Sequence, residues 1–328
     1  MPVYGSPFER ENWSGPDMFR RPLRLPDELG NMTVVSQLGS GSRGQVYHVQ
    51  EIRNYAAKMI PWKHDGDRAR ARKEYDTARL FADCPQVITY LSIHEEEEEE
   101  GTVILQELGE EWFQYYRLPG HVCTLKVALE GVRDLALALS TIHKAGYLHY
   151  DVNPNNVLVV DGRVKLCDFS HTWSMEIGKH YRHTVGTRHF MAPEIFRKES
   201  CTGTEDLYSL GITMYAMLTG GMAPYESFEG SLAFRGQEEH EERDKEDRLP
   251  RAFMHPDILA IVEKATAWES ADRYQTAEEF IQAIDDVMAT HPELLQEEVP
   301  GYRMPGMFGG QTVPFWGPTD YESSRLYT

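Results

Sequence analysis

From Thr33 onward apolar and polar residues alternate in short runs, and after Gly109 the apolar residues recur at helical spacing. Alternation at period two marks half-buried strands; recurrence every third or fourth residue marks amphipathic helices. Strands are expected at Thr33–Leu38, Gln45–Val49, Tyr55–Ile60, Val87–His94 and Thr102–Glu107, and a helix over Asp65–Phe81 with Ala71, Tyr75 and Ala78 on its inner face. A long helix follows over Thr124–Ala145, capped by Thr124. Val157–Val160 and Arg163–Cys167 are two short strands joined by an Asp161–Gly162 turn. Another apolar helix opens at Glu205–Gly211, and the last ends near Ala289.

Three stretches lack periodicity. Residues 1–30 contain five prolines and form an irregular extension; residues 229–250 are acidic and polar and form an exposed insertion. Residues 290–328 are rich in Pro, Gly and aromatics. A mobile tail is the expectation there, with folding back onto the body as the alternative that the aromatics leave open.

With 328 residues, 41% of them hydrophobic and 26% charged, the chain suits a globular protein with a sizeable core. No apolar run reaches the roughly 20 residues that span a bilayer, and Met1–Gly5 lacks the basic-then-apolar pattern of a signal peptide. Cys84, Cys123, Cys167 and Cys201 are scattered without metal-ligand spacing, as reduced thiols in the cytoplasm would be. A net charge of −19 argues against nucleic acid as a partner, because phosphate neutralisation needs clustered Lys and Arg. Glu95–Glu100 is six glutamates in a row, expected as a solvated hairpin tip, with docking of a basic partner as the functional alternative.

The candidate chemistry centres on His149–Asn156, which reads His-Tyr-Asp-Val-Asn-Pro-Asn-Asn. The hairpin after it brings Asp151, Asn156 and Asp168 to one end. Carboxylates and an amide oxygen are ligands that Mg²⁺ accepts, and a spare Asp can accept a hydroxyl proton. Further upstream, Gly39, Gly41 and Gly44 lie between two strands with no helix after them, which excludes a Rossmann fingerprint. A glycine-rich hairpin lets backbone N–H groups approach phosphate oxygens. Lys58 interrupts an apolar strand, and Glu74 on the following helix is the best candidate to pair with it. The histidines His171, His180, His183 and His189 lack the compact spacing of a zinc site and are taken as loop residues.

These motifs, in this order, resemble the protein-kinase family of serine/threonine type. Asp151 with Asn156 five residues later, then Asp168-Phe169-Ser170, resembles the catalytic and magnesium loops; Gly186-Thr187-Arg188-His189-Phe190-Met191-Ala192-Pro193-Glu194 is the most specific match. The resemblance spans about 31–289 and implies a bilobal α+β fold. A small lobe of five antiparallel strands and one helix (31–107) joins a mainly helical lobe (112–289) through a hinge at 108–111. It implies ATP and Mg²⁺ as cofactors and transfer to Ser or Thr of a protein substrate. Asp151 is then the catalytic base, Asn156 and Asp168 hold the metal, and Lys58, held by Glu74, grips the phosphates under Gly39, Gly41 and Gly44. Leu38, Val46, Ala56 and Leu158 line the nucleotide. Gln106 takes the gatekeeper position, and Glu107, Leu108 and Gly109 lie along the adenine edge. Thr187 contacts Asp151 and shapes the hydroxyl site. Asp206 ties down the catalytic-loop backbone, and Arg273 pairs with Glu194.

Three positions depart from the family pattern. Asn153 stands for the Lys that contacts the γ-phosphate, Ser170 for a Gly, and Tyr150 for the Arg that receives an activation-loop phosphate. They leave two alternatives: an ATP-binding regulatory or scaffold module without transfer and, further off, an antibiotic-type phosphotransferase. The latter would lack the Gly186–Glu194 motif. A tyrosine cannot make a bidentate charge-assisted contact to phosphate. Replacing Thr172, Ser174, Tyr181 and Thr184 by non-phosphorylatable residues is therefore expected to leave the transfer rate unchanged; a large drop in a steady-state assay would contradict this.

Overall fold

The computed structural model describes residues 32–41, 44–51, 54–64, 66–96, 101–178, 186–187, 190–197, 199, 202–221, 254–299 and 302. The expected N-terminal extension, the insertion at 229–250, Glu97–Glu100, Tyr181, Thr184, Arg188, His189 and the tail beyond Tyr302 lie outside these residues. The chain divides into two compact units, through Tyr55 and from Ala56 onward.

The first unit holds an antiparallel hairpin of β1 (Met32–Gly41) and β2 (Gly44–Glu51). Its ladder runs on through the glycines, with Gly39 opposite Val46 and Gly41 opposite Gly44, so the three glycines sit at its closed end. Leu38 falls at the register shift between Gln37 and Gly39.

In the second unit β3 (Tyr55–Pro61), β4 (Tyr90–Glu96) and β5 (Gly101–Glu107) form a sheet in the order β3-β5-β4. The five expected strands are thus present as a pair and a triplet. Helix α1 (Asp67–Arg79) starts after Gly66, whose φ of 95° suits a residue without Cβ. The Asp67 carboxylate accepts the Lys63 and His64 N–H groups at 2.8 and 2.7 Å. The helix buries Ala71, Glu74, Thr77 and Ala78 along one face.

Two expectations in this region need correction. Val87 makes an isolated parallel bridge to Leu166 and lies outside β4. The glutamate run is not wholly a solvated tip: Glu95 and Glu96 extend β4, and Glu95 is held by Arg68 and Arg72 of α1. Opposite charges on the neighbouring helix make strand pairing of the first glutamates tolerable.

The helical part begins at β6 (Glu110–Glu111), which pairs with β8 (Val157–Val160), so the C-terminal half of the expected hinge is a short strand. Next come α2 (Trp112–Arg117) and α3 (Leu125–Lys144); the Thr124 hydroxyl caps α3 by accepting the Val127 N–H at 3.3 Å. β7 (Tyr147–Leu148) pairs with β10 (Trp173–Ser174), and β8 pairs with β9 (Arg163–Leu166). Short helices α4 (Met175–Gly178) and α5 (Pro193–Phe196) precede α6 (Thr204–Thr219), α7 (Pro256–Ala265) and α8 (Ala277–Thr290).

Helix α6 is buried along nearly its whole circumference. Gly211 makes this possible, because a Cβ there would stand 2.7 Å from the Cβ of Ala265 on α7. Leu129, Val132, Leu135, Leu139 and Ile142 of α3 are fully buried in the same core, each side chain contributing about 1.5–3 kcal/mol. Arg273 is buried in a bidentate pair with Glu194, at 2.6 and 2.8 Å. Removing either partner strands the other charge, at about 3–5 kcal/mol.

The tail is the main correction. Its first part is not mobile but folds back, as its aromatics allowed. Leu125 donates its N–H to Glu297 O at 2.8 Å, and Val299 donates to Cys123 O at 2.9 Å. Tyr302 is buried; its hydroxyl accepts from Trp112 Nε1 and donates to Met217 O at 2.8 Å. Tyr302→Phe would leave the indole N–H and the carbonyl buried without partners, and is expected to lower stability by about 1–3 kcal/mol. Urea denaturation checks this; an unchanged midpoint would show the tail contact to be energetically idle.

Candidate active site

The site starts from a buried carboxylate. Asp206, in the first turn of α6, is wholly inaccessible. Its Oδ2 accepts the His149 N–H at 2.8 Å and Oδ1 accepts the Tyr150 N–H at 2.8 Å. His143 Nε2 lies 2.8 Å from Oδ2. Burial alone would raise the Asp206 pKa, but these partners outweigh it and the net shift is downward. They hold Tyr150 at φ 65°, a left-handed conformation that costs a non-glycine residue energy.

That turn aims Asp151 into a polar cluster. Asp151 Oδ1 accepts the Thr187 N–H at 2.8 Å, the Thr187 hydroxyl at 2.7 Å and the Asn153 amide at 3.0 Å. Its Oδ2 accepts the Asn156 amide at 3.0 Å. Asn153 also donates to the Thr187 hydroxyl at 3.2 Å. Gly186, at φ 102°, passes so close to the Tyr150 carbonyl that no side chain fits.

A second line of contacts reaches Asp168. Lys58 Nζ lies 2.7 Å from Glu74 Oε1 and 3.3 Å from Asp168 Oδ1. Asp168 Oδ1 also accepts the Ser170 N–H at 3.1 Å. Burial raises the Asp168 pKa, yet the Lys58 ammonium and Ser170 bring it down to about 2, so the group is anionic at neutral pH. Glu74 accepts from the Tyr90 hydroxyl at 3.0 Å. Phe169 is fully buried, stacked on Phe81 and edge-on to Tyr90 and His149. Lys73, beside Glu74, lays its ammonium 3.2 Å above the Trp173 ring, which links α1 to β10.

All five polar residues expected to act together within the second unit (Lys58, Glu74, Asp151, Asn156 and Asp168) lie in this continuous network, with Asn153 and Thr187. Ala56 is half-buried on β3, and Leu158 is buried on β8. Gly109 presses against Leu158 and Val160, where a Cβ would stand 3.0 and 2.9 Å from their side chains. Leu108 is exposed. Glu107 is held by Lys165 at 2.7 Å and by the Thr89 N–H, and its own N–H donates to Thr89 O. Gln106 Oε1, expected at the gatekeeper position, is buried without a partner among the described residues.

His171 lies in a turn, as expected, but its Nδ1 also stands 3.7 Å from Asp151 Oδ2 and 3.2 Å from the Ser170 hydroxyl. Sequence spacing carries no signal for this, because the contact depends on the turn at Asp168, where φ is 62°. Tyr90 is a second missed residue; it reads as a strand aromatic, and only packing brings its hydroxyl to Glu74. Tyr150 is buried in an apolar cluster with Leu148, Phe190, Met191, Ile195, Tyr208 and Ile212. The Thr172 side chain is fully buried, so in this conformation its hydroxyl is closed to modification.

The site can hold a divalent cation by its donor chemistry. Asn156 commits its amide nitrogen to Asp151, which leaves the amide oxygen, and Asp168 offers an ionised carboxylate. Both are hard oxygen donors of the kind Mg²⁺ accepts.

Comparison with known proteins agrees with this geometry. The model of the protein kinase domain matches residues 32–292. The chain therefore belongs to the protein kinase domain family, and with it goes the α+β fold expected from the motifs. It is 27% identical to an Aurora kinase of Schizosaccharomyces pombe over 72% of this chain and 66% of that protein. It is 25% identical to the serine/threonine-protein kinase PrkC of Bacillus subtilis over 76% of this chain and 39% of that protein. With the serine/threonine-protein kinase PknB of Mycobacterium tuberculosis it shares 33% identity over 48% of this chain and 25% of that protein. The chain thus spans just under two thirds of the first of these relatives and well under half of the other two.

Glu205 supplies a pH signature. It is buried beside Asp206; its Oε2 accepts the Thr202 and Gly203 N–H groups, while Oε1 has no partner among the described residues. Burial, then the Asp206 charge, raises its pKa from the ordinary 4.5 to about 7. Between those values the folded protein keeps a proton that the unfolded chain has lost, so this group's contribution to stability falls as pH rises toward 7 and levels off above it. The urea midpoint of the protein is expected to drop between pH 5 and pH 8, and Glu205→Gln to shrink that drop; equal drops in both proteins would refute the assignment.

Proposed function

We propose that the chain transfers the γ-phosphoryl group of ATP to Ser or Thr hydroxyls of protein substrates. The observation that carries this reading is the setting of Asp151. Its buried carboxylate is fixed on both oxygens by Thr187, Asn153 and Asn156, beside an ionised Asp168 that Lys58 holds. A fixed carboxylate is suited to accept the hydroxyl proton, and the transfer then depends mostly on positioning and charge stabilisation.

In this reading Lys58, oriented by Glu74, contacts the phosphates, and the glycines of β1–β2 approach them by backbone N–H groups. Asn156 and Asp168 hold Mg²⁺, which when bound neutralises phosphate charge. Leu38, Val46, Ala56 and Leu158 contact the base, with Gln106 to Gly109 along its edge. Thr187 and Asn153 keep Asp151 in place; Asn153 does so without the charge of a lysine. Nothing in the geometry favours a module without transfer. Ser170 keeps its backbone N–H on Asp168, and Tyr150 stands in an apolar cluster where no phosphate contact is required.

A basic substrate or partner suits the net charge of −19. No helix among the described residues is long and apolar enough to cross a membrane. Buried, unpaired Cys84, Cys123 and Cys167 suit a reducing compartment such as the cytoplasm.

The test is phosphate transfer from radiolabelled ATP with Mg²⁺, to the protein itself and to a generic basic protein. Asp151→Asn is expected to lower the rate by about 10²–10⁴-fold, the range for a positioned general base, with nucleotide binding retained in a thermal-shift assay. Equal transfer by the variant, or no transfer by a wild-type protein that binds nucleotide, would overturn the reading.

A further inference from the structure

At the junction of α7 and α8, away from the residues assigned to phosphoryl transfer, three side chains converge: His255, Asp257 and His291. One potential ligand atom from each lies within 4.8 Å of the other two. It is the sole such group of three His, Cys, Asp or Glu residues among those described. His255 is the N-cap of α7, Asp257 is in its first turn, and His291 caps the C-terminus of α8. His291 Nε2 is 2.7 Å from Asp257 Oδ2, and His255 Nδ1 is 4.0 Å from that same oxygen. The two imidazole rings are tilted by 53° to each other, with centroids 4.3 Å apart.

A further contact has the layout that a metal-bound histidine would use. His291 Nδ1, the nitrogen turned away from Asp257, lies 3.4 Å from Glu293 Oε1. A ligating histidine commonly donates its other ring N–H to a carboxylate, which fixes its tautomer and orientation. Asp257, His291 and Glu293 already stand in that order.

We propose that His255, Asp257 and His291 form a zinc site, with Glu293 orienting His291. Two imidazoles and a carboxylate are a donor set for zinc, whereas Mg²⁺ and Ca²⁺ take oxygen ligands. Tetrahedral ligands at about 2.0–2.1 Å from zinc stand roughly 3.3 Å from one another. His255 Nδ1 accepts the Asp257 N–H at 3.3 Å as the cap of α7, so ligation exchanges that cap contact for the metal, and the exposed Asp257 turns toward it. The fourth position is left to water. An ion there would join the start of α7 to the end of α8 at the point where the chain turns into the 292–299 segment. The site would therefore fasten the returning tail and lies outside the phosphoryl-transfer chemistry.

The test uses the full chain stripped of metal by a chelator and dialysed. Zn²⁺ is titrated by isothermal calorimetry, and Co²⁺ is used as a visible probe of coordination. Because other histidines of the chain can bind Zn²⁺, the variants decide. His255→Ala and His291→Ala are each expected to weaken one binding event by at least about 10-fold, the cost of even an outer-shell change at a metal site. Each is also expected to remove the Co²⁺ absorption of a tetrahedral site. Glu293→Gln is expected to weaken Zn²⁺ less than either. These side chains are at least partly exposed, so the variants are expected to fold, and circular dichroism verifies it. No saturable Zn²⁺ binding by the wild-type chain, or binding of equal strength in both histidine variants, would overturn the proposal. In that case the group is a hydrogen-bonded pair that joins two helices without an ion.

Discussion

The buried carboxylate of Asp206 is the constraint on which the site depends. A charge with no access to water is tolerable only when donors surround it, and here the donors are backbone N–H groups of the loop that carries Asp151. The helix that supplies Asp206 is itself locked in the core, with Gly211 seated against α7. The position of Asp151 is therefore set by packing tens of residues away in sequence. The left-handed turn at Tyr150 is retained because two hydrogen bonds to Asp206 over-determine it, a common way for local strain to persist at a functional site.

The polar network around Asp168 is supported in a different way. Lys58 and Glu74 come from a strand and a helix, and Asp168 from a loop after a β-hairpin. What keeps them in register is aromatic packing. Phe169 anchors the loop between Phe81 and Tyr90, and Tyr90 returns a hydrogen bond to Glu74. The charged groups thus rest on an apolar wedge, and the position of α1 and the position of Asp168 are mechanically linked. Lys73 over Trp173 adds a further tie between the same helix and the segment after Asp168.

Much of this was legible in the sequence. The strands, the long α3 with its Thr124 cap and the pairing of Arg273 with Glu194 follow from periodicity and motif. Glu74 was separable from Asp67, which lies in the first turn of α1, and from Asp76, which lies on a different face. What escaped was long-range and non-periodic. Glu95 reads as one of six equal glutamates until α1 places Arg68 and Arg72 beside it. His171 gains a role only from a backbone turn with positive φ. Tyr302 lies in a stretch with no pattern, and its partners Trp112 and Met217 belong to other elements. Local pattern identifies elements; it does not reveal which side chains meet across the core.

The seat of Tyr302 also bears on how the protein is made. Its hydroxyl meets Trp112, 190 residues earlier in the chain. At a synthesis rate of about 5–20 residues per second, roughly 10–40 s separate the emergence of these two partners from the ribosome. Throughout that interval the indole N–H lacks the group that satisfies it, and the Met217 carbonyl, 85 residues before Tyr302, lacks it for the latter part. The part of the hydrophobic core that Val299 and Tyr302 complete also stays open to water and to other nascent chains. The helical core can collapse early, but it is sealed only after nearly the whole chain has been translated. The vulnerable period is therefore set by the length of the polypeptide between Trp112 and Tyr302, however fast the elements between them fold.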